Sequence, residues 1–419
     1  MRRYFLFFGS VLLLLSLLIA AWQESRRPRP VALIPTLTGQ VEYCLTCHSD
    51  LAQISSSHSV KTFGCVVCHG GEPLALDANL AHSTMRGGAN PSDDSVVQAS
   101  CGGDNCHGGS PETYSDHIQR ATTSIQATYA GAIASMLYTF GAQPDLTARF
   151  AVSVVQDPQS SSGITGLSAF GQVQASNPAI KLFGQNCLNC HISAQPLPGT
   201  EYARFTGCAA CHTPLTPVGL LPGEGQGVTP QVHKLTTAIP FTQCDTCHNR
   251  GNYDLRSMTF QSRQDLPTDR LHAYYQPIAQ FTTCEYKLEC NDCHTRTEAM
   301  GGGSLYGSKK DIQYIRCKTC HGTPTELPLT KTLTDPNDIA FRLAQLNPVI
   351  DLKIGDTILM TDKGDPLWNI RPLSDGSYEL FDKASGQRYT FKPVKGSGCT
   401  QDPSRQDSAS CHQCHSVQR

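Results

Sequence analysis

Cys44-Leu-Thr-Cys47-His48 opens a series of nine stretches of one form: a cysteine, a short gap, a second cysteine and a histidine directly after it. The others are Cys65-Val-Val-Cys68-His69, Cys101-Gly-Gly-Asp-Asn-Cys106-His107, Cys187-Leu-Asn-Cys190-His191, Cys208-Ala-Ala-Cys211-His212, Cys244-Asp-Thr-Cys247-His248, Cys290-Asn-Asp-Cys293-His294, Cys317-Lys-Thr-Cys320-His321 and Cys411-His-Gln-Cys414-His415. Eight leave two residues between the cysteines and one leaves four. Every cysteine of the chain except Cys284 and Cys399 belongs to one of these pairs.

Cys-x-x-Cys-His is the attachment motif for c-type haem. The two thiols add across the haem vinyl groups, and the following histidine is placed to ligate the iron from the proximal side. Zinc knuckles also use paired cysteines, and 20 cysteines in an exported chain also suit disulfides. Neither requires a histidine after every second cysteine. The sequence therefore predicts nine covalently bound haems c. Modest apolar content with 35 glycines and 26 prolines suits a fold in which the macrocycles supply much of the buried surface. The expected class is mainly α with much irregular structure, organised around stacked covalent haems. A small antiparallel β insert is expected near the C-terminus.

The motifs fall into groups. Cys44 to Cys65 and Cys187 to Cys208 both span 21 residues. Superposed, Lys61 meets Arg204 and Gly64-Cys65 meets Gly207-Cys208. A lone histidine follows each pair, His82 or His233, and then a third motif. Residues 44–107 and 187–248 thus form two copies of one trihaem unit. Residues 249–419 read as a looser third copy with a β insert at 350–395, where Asp-Gly and Ser-Gly turn signals divide short apolar runs. Between the first two groups, 108–186 read as a haem-free helix and loop. Ser110-Pro111-Glu112 is a helix start, and Ile118, Ile125, Tyr129, Ile133, Met136 and Phe140 continue at helical spacing to Gly141. This predicts one helix of about 30 residues, roughly 45 Å long, followed by a loop over 156–178.

Residues 1–23 read as a signal anchor or transmembrane helix, because Tyr4 to Trp22 carries no charge. Residues 24–43 read as a tether. The formal charge is -2, and no basic run marks a nucleic-acid partner.

The occupant of the second axial position decides a haem's chemistry: histidine closes it for electron transfer, methionine raises the potential, and a vacancy permits catalysis. Nine of the 15 histidines follow motif cysteines. The remaining six, His58, His82, His117, His233, His272 and His412, are the expected distal ligands. Six cannot close nine sites. Met85, Met136, Met258, Met300 and Met360 are soft candidates, although methionine more often fills a core. His58 aligns with Glu201 in the second copy, so the equivalent haem there lacks that ligand. Cys284 and Cys399 are expected to form a disulfide.

On these nine motifs, across residues 44–415, the chain resembles the multihaem c-type cytochromes. The resemblance implies thioether formation outside the cytoplasmic membrane, so residues 30–419 are expected to be periplasmic or otherwise extracytoplasmic. It implies an electron carrier relaying electrons from the membrane quinol pool to a redox protein partner, with an oligomer or filament as a further form of assembly. The alternative is a multihaem oxidoreductase acting on a small nitrogen or sulfur compound at a haem without a distal histidine. No Cys-x-x-Cys-Lys motif of the nitrite- or tetrathionate-reductase kind is present. Tyr274 and Tyr275 are the candidates for a haem-linked tyrosine of the hydroxylamine-oxidising kind. No catalytic residue is assigned.

Overall fold

The computed structural model describes residues 2–27, 29–52, 54–172, 177–188, 191–194, 204–221, 225–240, 243–244, 247, 253–254, 259–260, 284, 287–312, 314–400, 402, 411 and 414–415. Cys190, Glu201, His248, Met258, His272, Tyr274, Tyr275 and His412 lie outside them. The chain divides into two compact units, Met1–Ala89 and Asn90–Arg419. The division falls inside the 44–107 interval.

The first unit begins with the helix Arg2–Ser25, whose 24 residues span about 36 Å. Its segment Leu6–Ser25 is long and apolar enough to cross a membrane. Beyond it the chain makes one-turn helices at Val60–Phe63, Val66–His69 and Ala78–Ala81. Glycine ends the first two. Gly64 and Gly70 have φ of 72° and 69°, a region costly for any side chain.

In the second unit, the expected long helix is three shorter ones: His117–Thr123, Ile125–Thr128 and Ala130–Thr139. Two residues break it. Ser124 is extended, and its hydroxyl accepts from the Ala127 N–H as a new N-cap. Tyr129 sits in the left-handed region at φ 57°. The apolar spacing that predicts one helix instead serves two clusters. Ala130 and Ala134 join Ala148, Ala151, Leu167 and Leu305, while Ile133 and Leu137 join Phe170, Ile180, Phe183 and Leu188. The stretch expected to be loop contributes strand Gly166–Ala169, which pairs in parallel with Phe150–Ala151 and antiparallel with Val155–Gln156. Helix Pro178–Asn186 then leads into the fourth motif, capped by the Asn177 side chain with Pro178 in its first turn. After the fifth motif, Leu215–Leu221 and Gly225–Pro230 pair as an antiparallel hairpin.

Towards the C-terminus lie two small antiparallel sheets. One orders Pro366–Leu367, Thr357–Met360 and Thr330–Thr332; the other orders Ile370–Pro372, Tyr378–Phe381 and Arg388–Phe391. Their turns at Asp-Lys-Gly364, Asp-Gly376 and Ser-Gly386 all place glycine at positive φ. Helix Ile339–Leu346 closes the core from one side, through Ala340 and Ala344 against Ile358, Trp368 and Phe381. On the other side, Leu359, Leu367, Ile370, Tyr378 and Leu380 pack with Cys293 and Cys320, members of the seventh and eighth motifs. The sheets thus cover those two motifs. Cys284 and Cys399 do not form the expected disulfide bridge.

Candidate cofactor-attachment sites

A motif can present two sulfurs and an imidazole to one planar group only if its histidine lies one tight turn beyond its first cysteine. In the motifs of His48, His69, His107, His212 and His294 that turn is closed by a backbone hydrogen bond from the histidine N–H to the first cysteine's carbonyl, whereas in the fourth motif the His191 N–H donates to the Leu188 carbonyl at 3.3 Å. The bond to the cysteine measures 3.1 Å for His48 to Cys44, 2.9 Å for His69 to Cys65, 3.0 Å for His212 to Cys208 and 3.0 Å for His294 to Cys290. The motif with four intervening residues closes the same way, His107 to Cys101 at 3.1 Å. Gly102 and Gly103 absorb its two extra residues: Gly103 has φ 111°, and a Cβ on Gly102 would lie 2.1 Å from the Gln98 carbonyl oxygen.

Among the described residues, His48 and His107 each lie beside a second imidazole. His48 and His82 have ring centres 6.0 Å apart, and His107 and His117 have ring centres 5.2 Å apart. With metal–imidazole bonds of about 2 Å, two imidazoles on opposite sides of one iron have ring centres roughly 6 Å apart. The His48–His82 pair matches that spacing and the His107–His117 pair is closer; cysteine thiols with a second imidazole are the donor set that haem c uses, and His48 and His82 fit it. His58 stacks on Phe63 at 5.7 Å, with the Ser57 hydroxyl 3.1 Å from its Nδ1. His233 is half-buried, three residues before Thr236. Met136 and Met360 pack against apolar clusters.

Motifs also approach one another. The thiols of Cys44 and Cys65 lie within 4.8 Å, beside a carboxylate oxygen of the buried Glu42. Glu42 accepts from the Cys65 N–H at 2.7 Å and so caps the second motif helix. In the second copy that place is taken by Ser92, whose carbonyl accepts from the Cys208 N–H at 3.1 Å and whose hydroxyl accepts from the Ala209 N–H at 3.0 Å. Nearby, buried Arg204 donates to the carbonyls of His191, Ile192, Ala194 and Phe205, fixing the turn after the fourth motif.

His117 stands where several groups meet. Arg296, two residues after His294, lies 3.0 Å from its Nδ1 and also donates to Asp116 at 3.1 Å. Arg120 donates to the other Asp116 oxygen at 2.8 Å. Burial, with Arg296 beside it, pushes His117 down to about 4. At neutral pH the ring is therefore uncharged, and the guanidinium at Nδ1 places the ring proton on Nε2. His191 is likewise lowered to about 4, chiefly by burial. The thiols of Cys208 and Cys320 are pushed up to about 12 by burial.

Among the described residues, His212, His321 and His294 have a defined Nδ1 partner. His212 meets the Thr236 carbonyl at 2.8 Å, His321 the Lys392 carbonyl at 3.2 Å and His294 the Glu298 carboxylate at 3.4 Å. Such partners fix the tautomer and turn Nε2 outward as the ligating atom. Sequence reading singled out the cysteines and histidines but missed Glu42, Arg296 and Glu298. One signal was present. Thr295-Arg-Thr-Glu298 is a capping-box pattern, and both of its reciprocal bonds form.

Residues 243–322 match the family model of cytochrome c554 and c-prime. The match covers the sixth, seventh and eighth motifs, less than half of the chain. No curated protein and no solved structure matches the chain. The similarity supports a c-type cytochrome with covalently bound haem c and a part in electron transport.

Proposed function

We propose that the chain is an extracytoplasmic electron carrier holding nine covalent haems c, anchored to the cytoplasmic membrane through Tyr4–Trp22. It relays electrons from the membrane quinol pool to a redox protein partner. Bound haem supplies one-electron iron chemistry, and a second histidine closes the iron to substrates. The observation that carries the reading is the approach of His82 to His48, with ring centres 6.0 Å apart. An imidazole on each side of the iron would favour a closed site over a substrate-binding one. Closely spaced attachment points, such as Cys44 and Cys65, suit electron hopping without bond chemistry. The apolar helix and the match to a cytochrome family are consistent with export and anchoring.

Intact-mass measurement on the membrane-expressed holoprotein is expected to give the sequence mass plus nine haems, with or without the N-terminal helix. EPR is expected to be dominated by low-spin signals. Sustained turnover of nitrite, hydroxylamine or tetrathionate with a viologen donor would replace the carrier reading with the oxidoreductase one.

A further inference from the structure

Glu298 is a buried carboxylate, 6% exposed, held by a dense set of donors. Oε1 accepts from the N–H groups of Tyr314 at 2.9 Å and Ile315 at 3.0 Å. Oε2 accepts from the Thr295 N–H at 3.1 Å, and the same atom is 3.4 Å from His294 Nδ1. These bonds favour the ionised form and lock the carboxylate against the imidazole. His212 and His321 instead meet neutral backbone carbonyls. A buried negative charge beside Nδ1 polarises the ring N–H more strongly than a neutral carbonyl does. It gives the imidazole more donor character at its other nitrogen, and stronger axial donation stabilises the oxidised iron.

We infer that Glu298 is a positioning residue that gives the haem of the Cys290–Cys293 site a more strongly donating proximal histidine, and a lower reduction potential, than the sites at Cys208–Cys211 and Cys317–Cys320. The inference rests on the reading of these motifs as haem sites. The site at Cys290–Cys293 shares an apolar cluster with Cys320 of the next motif, so the difference in potential lies between neighbouring carriers.

The test is a spectroelectrochemical titration of the full-length holoprotein, followed by absorbance and EPR, with Glu298→Gln and Glu298→Asp. Glu298→Gln is expected to move one haem transition to more positive potential and leave the others in place. Glu298→Asp, which keeps the charge, is expected to move it less. Unchanged transitions, or a uniform shift of all of them, would overturn the inference. If Glu298→Gln does not fold, the unsubstituted protein decides. One low-spin species with a narrowed g spread should persist to lower potential than the wide-spread species, and uniform g spreads would sink the idea. Peptide mapping separates the two levels of failure. A Cys290–Cys293 peptide without haem refutes the haem-site reading, whereas a haem-bearing peptide with an unmoved potential refutes only the role of Glu298.

Discussion

His48 and His82 are 34 residues apart in the chain, yet their imidazole rings lie 6.0 Å apart, tilted by 57°. The one-turn helix Ala78–Ala81, capped by Asp77, delivers His82 at its C-terminal end. Two rings at this separation are spaced to share one iron.

Replacing His82 with methionine should therefore raise the reduction potential of one haem, because thioether ligation favours the reduced iron. His82→Ala should convert one low-spin haem to a high-spin signal. EPR during a redox titration measures both outcomes, and an unaltered low-spin count in His82→Ala would exclude His82 as a ligand.

Gly64 offers a test of packing. A Cβ there would lie 2.4 Å from both Glu42 Oε1 and Pro35 Cγ, on a backbone with φ 72°. Left-handed backbone costs a non-glycine residue about 1–2 kcal/mol, and overpacking adds typically 1–3 kcal/mol. Gly64→Ala is expected to lower holoprotein stability by about 2–5 kcal/mol, read from denaturant unfolding followed at the Soret band.

Glu42 satisfies the Cys65 N–H from a buried position. Glu42→Ala leaves that donor without its carboxylate and should cost about 1–3 kcal/mol. Glu42→Gln retains an acceptor oxygen and should cost less. The same unfolding measurement compares the two, and equal losses would show that Glu42 acts through its charge rather than through the acceptor oxygen.

Asn369 is fully buried and donates from Nδ2 to the Asp292 carbonyl at 3.2 Å and the Phe381 carbonyl at 3.0 Å. It ties the β sheets to the seventh motif. Asn369→Ala strands both carbonyls and should cost about 2–4 kcal/mol. Limited proteolysis should then cut first within the 357–391 sheets, while the haem content stays constant.

Local chemistry was legible in the chain. Each motif needs only a few neighbouring residues to close its turn, and glycines at Gly64, Gly70, Gly364, Gly376 and Gly386 mark conformations that side chains resist. The single long helix expected at 110–141 was not so legible. Apolar periodicity does not distinguish one face packed on one partner from two short faces packed on two. Ser124 and Tyr129 break the run where the two clusters diverge. The expected bridge between Cys284 and Cys399 likewise required spatial proximity, which spacing along the chain does not supply.

By itself the sequence determined the attachment chemistry, because thiol–thiol–imidazole spacing within five to seven residues is a property of one turn of backbone. It also determined the supply of six further histidines, but not their positions. Only the tertiary structure brought His82 to His48 and His117 to His107, set Arg296 against His117, and aimed the Glu298 carboxylate at His294. Those contacts join residues across loops of different lengths, and their distances depend on how separate turns and clusters pack.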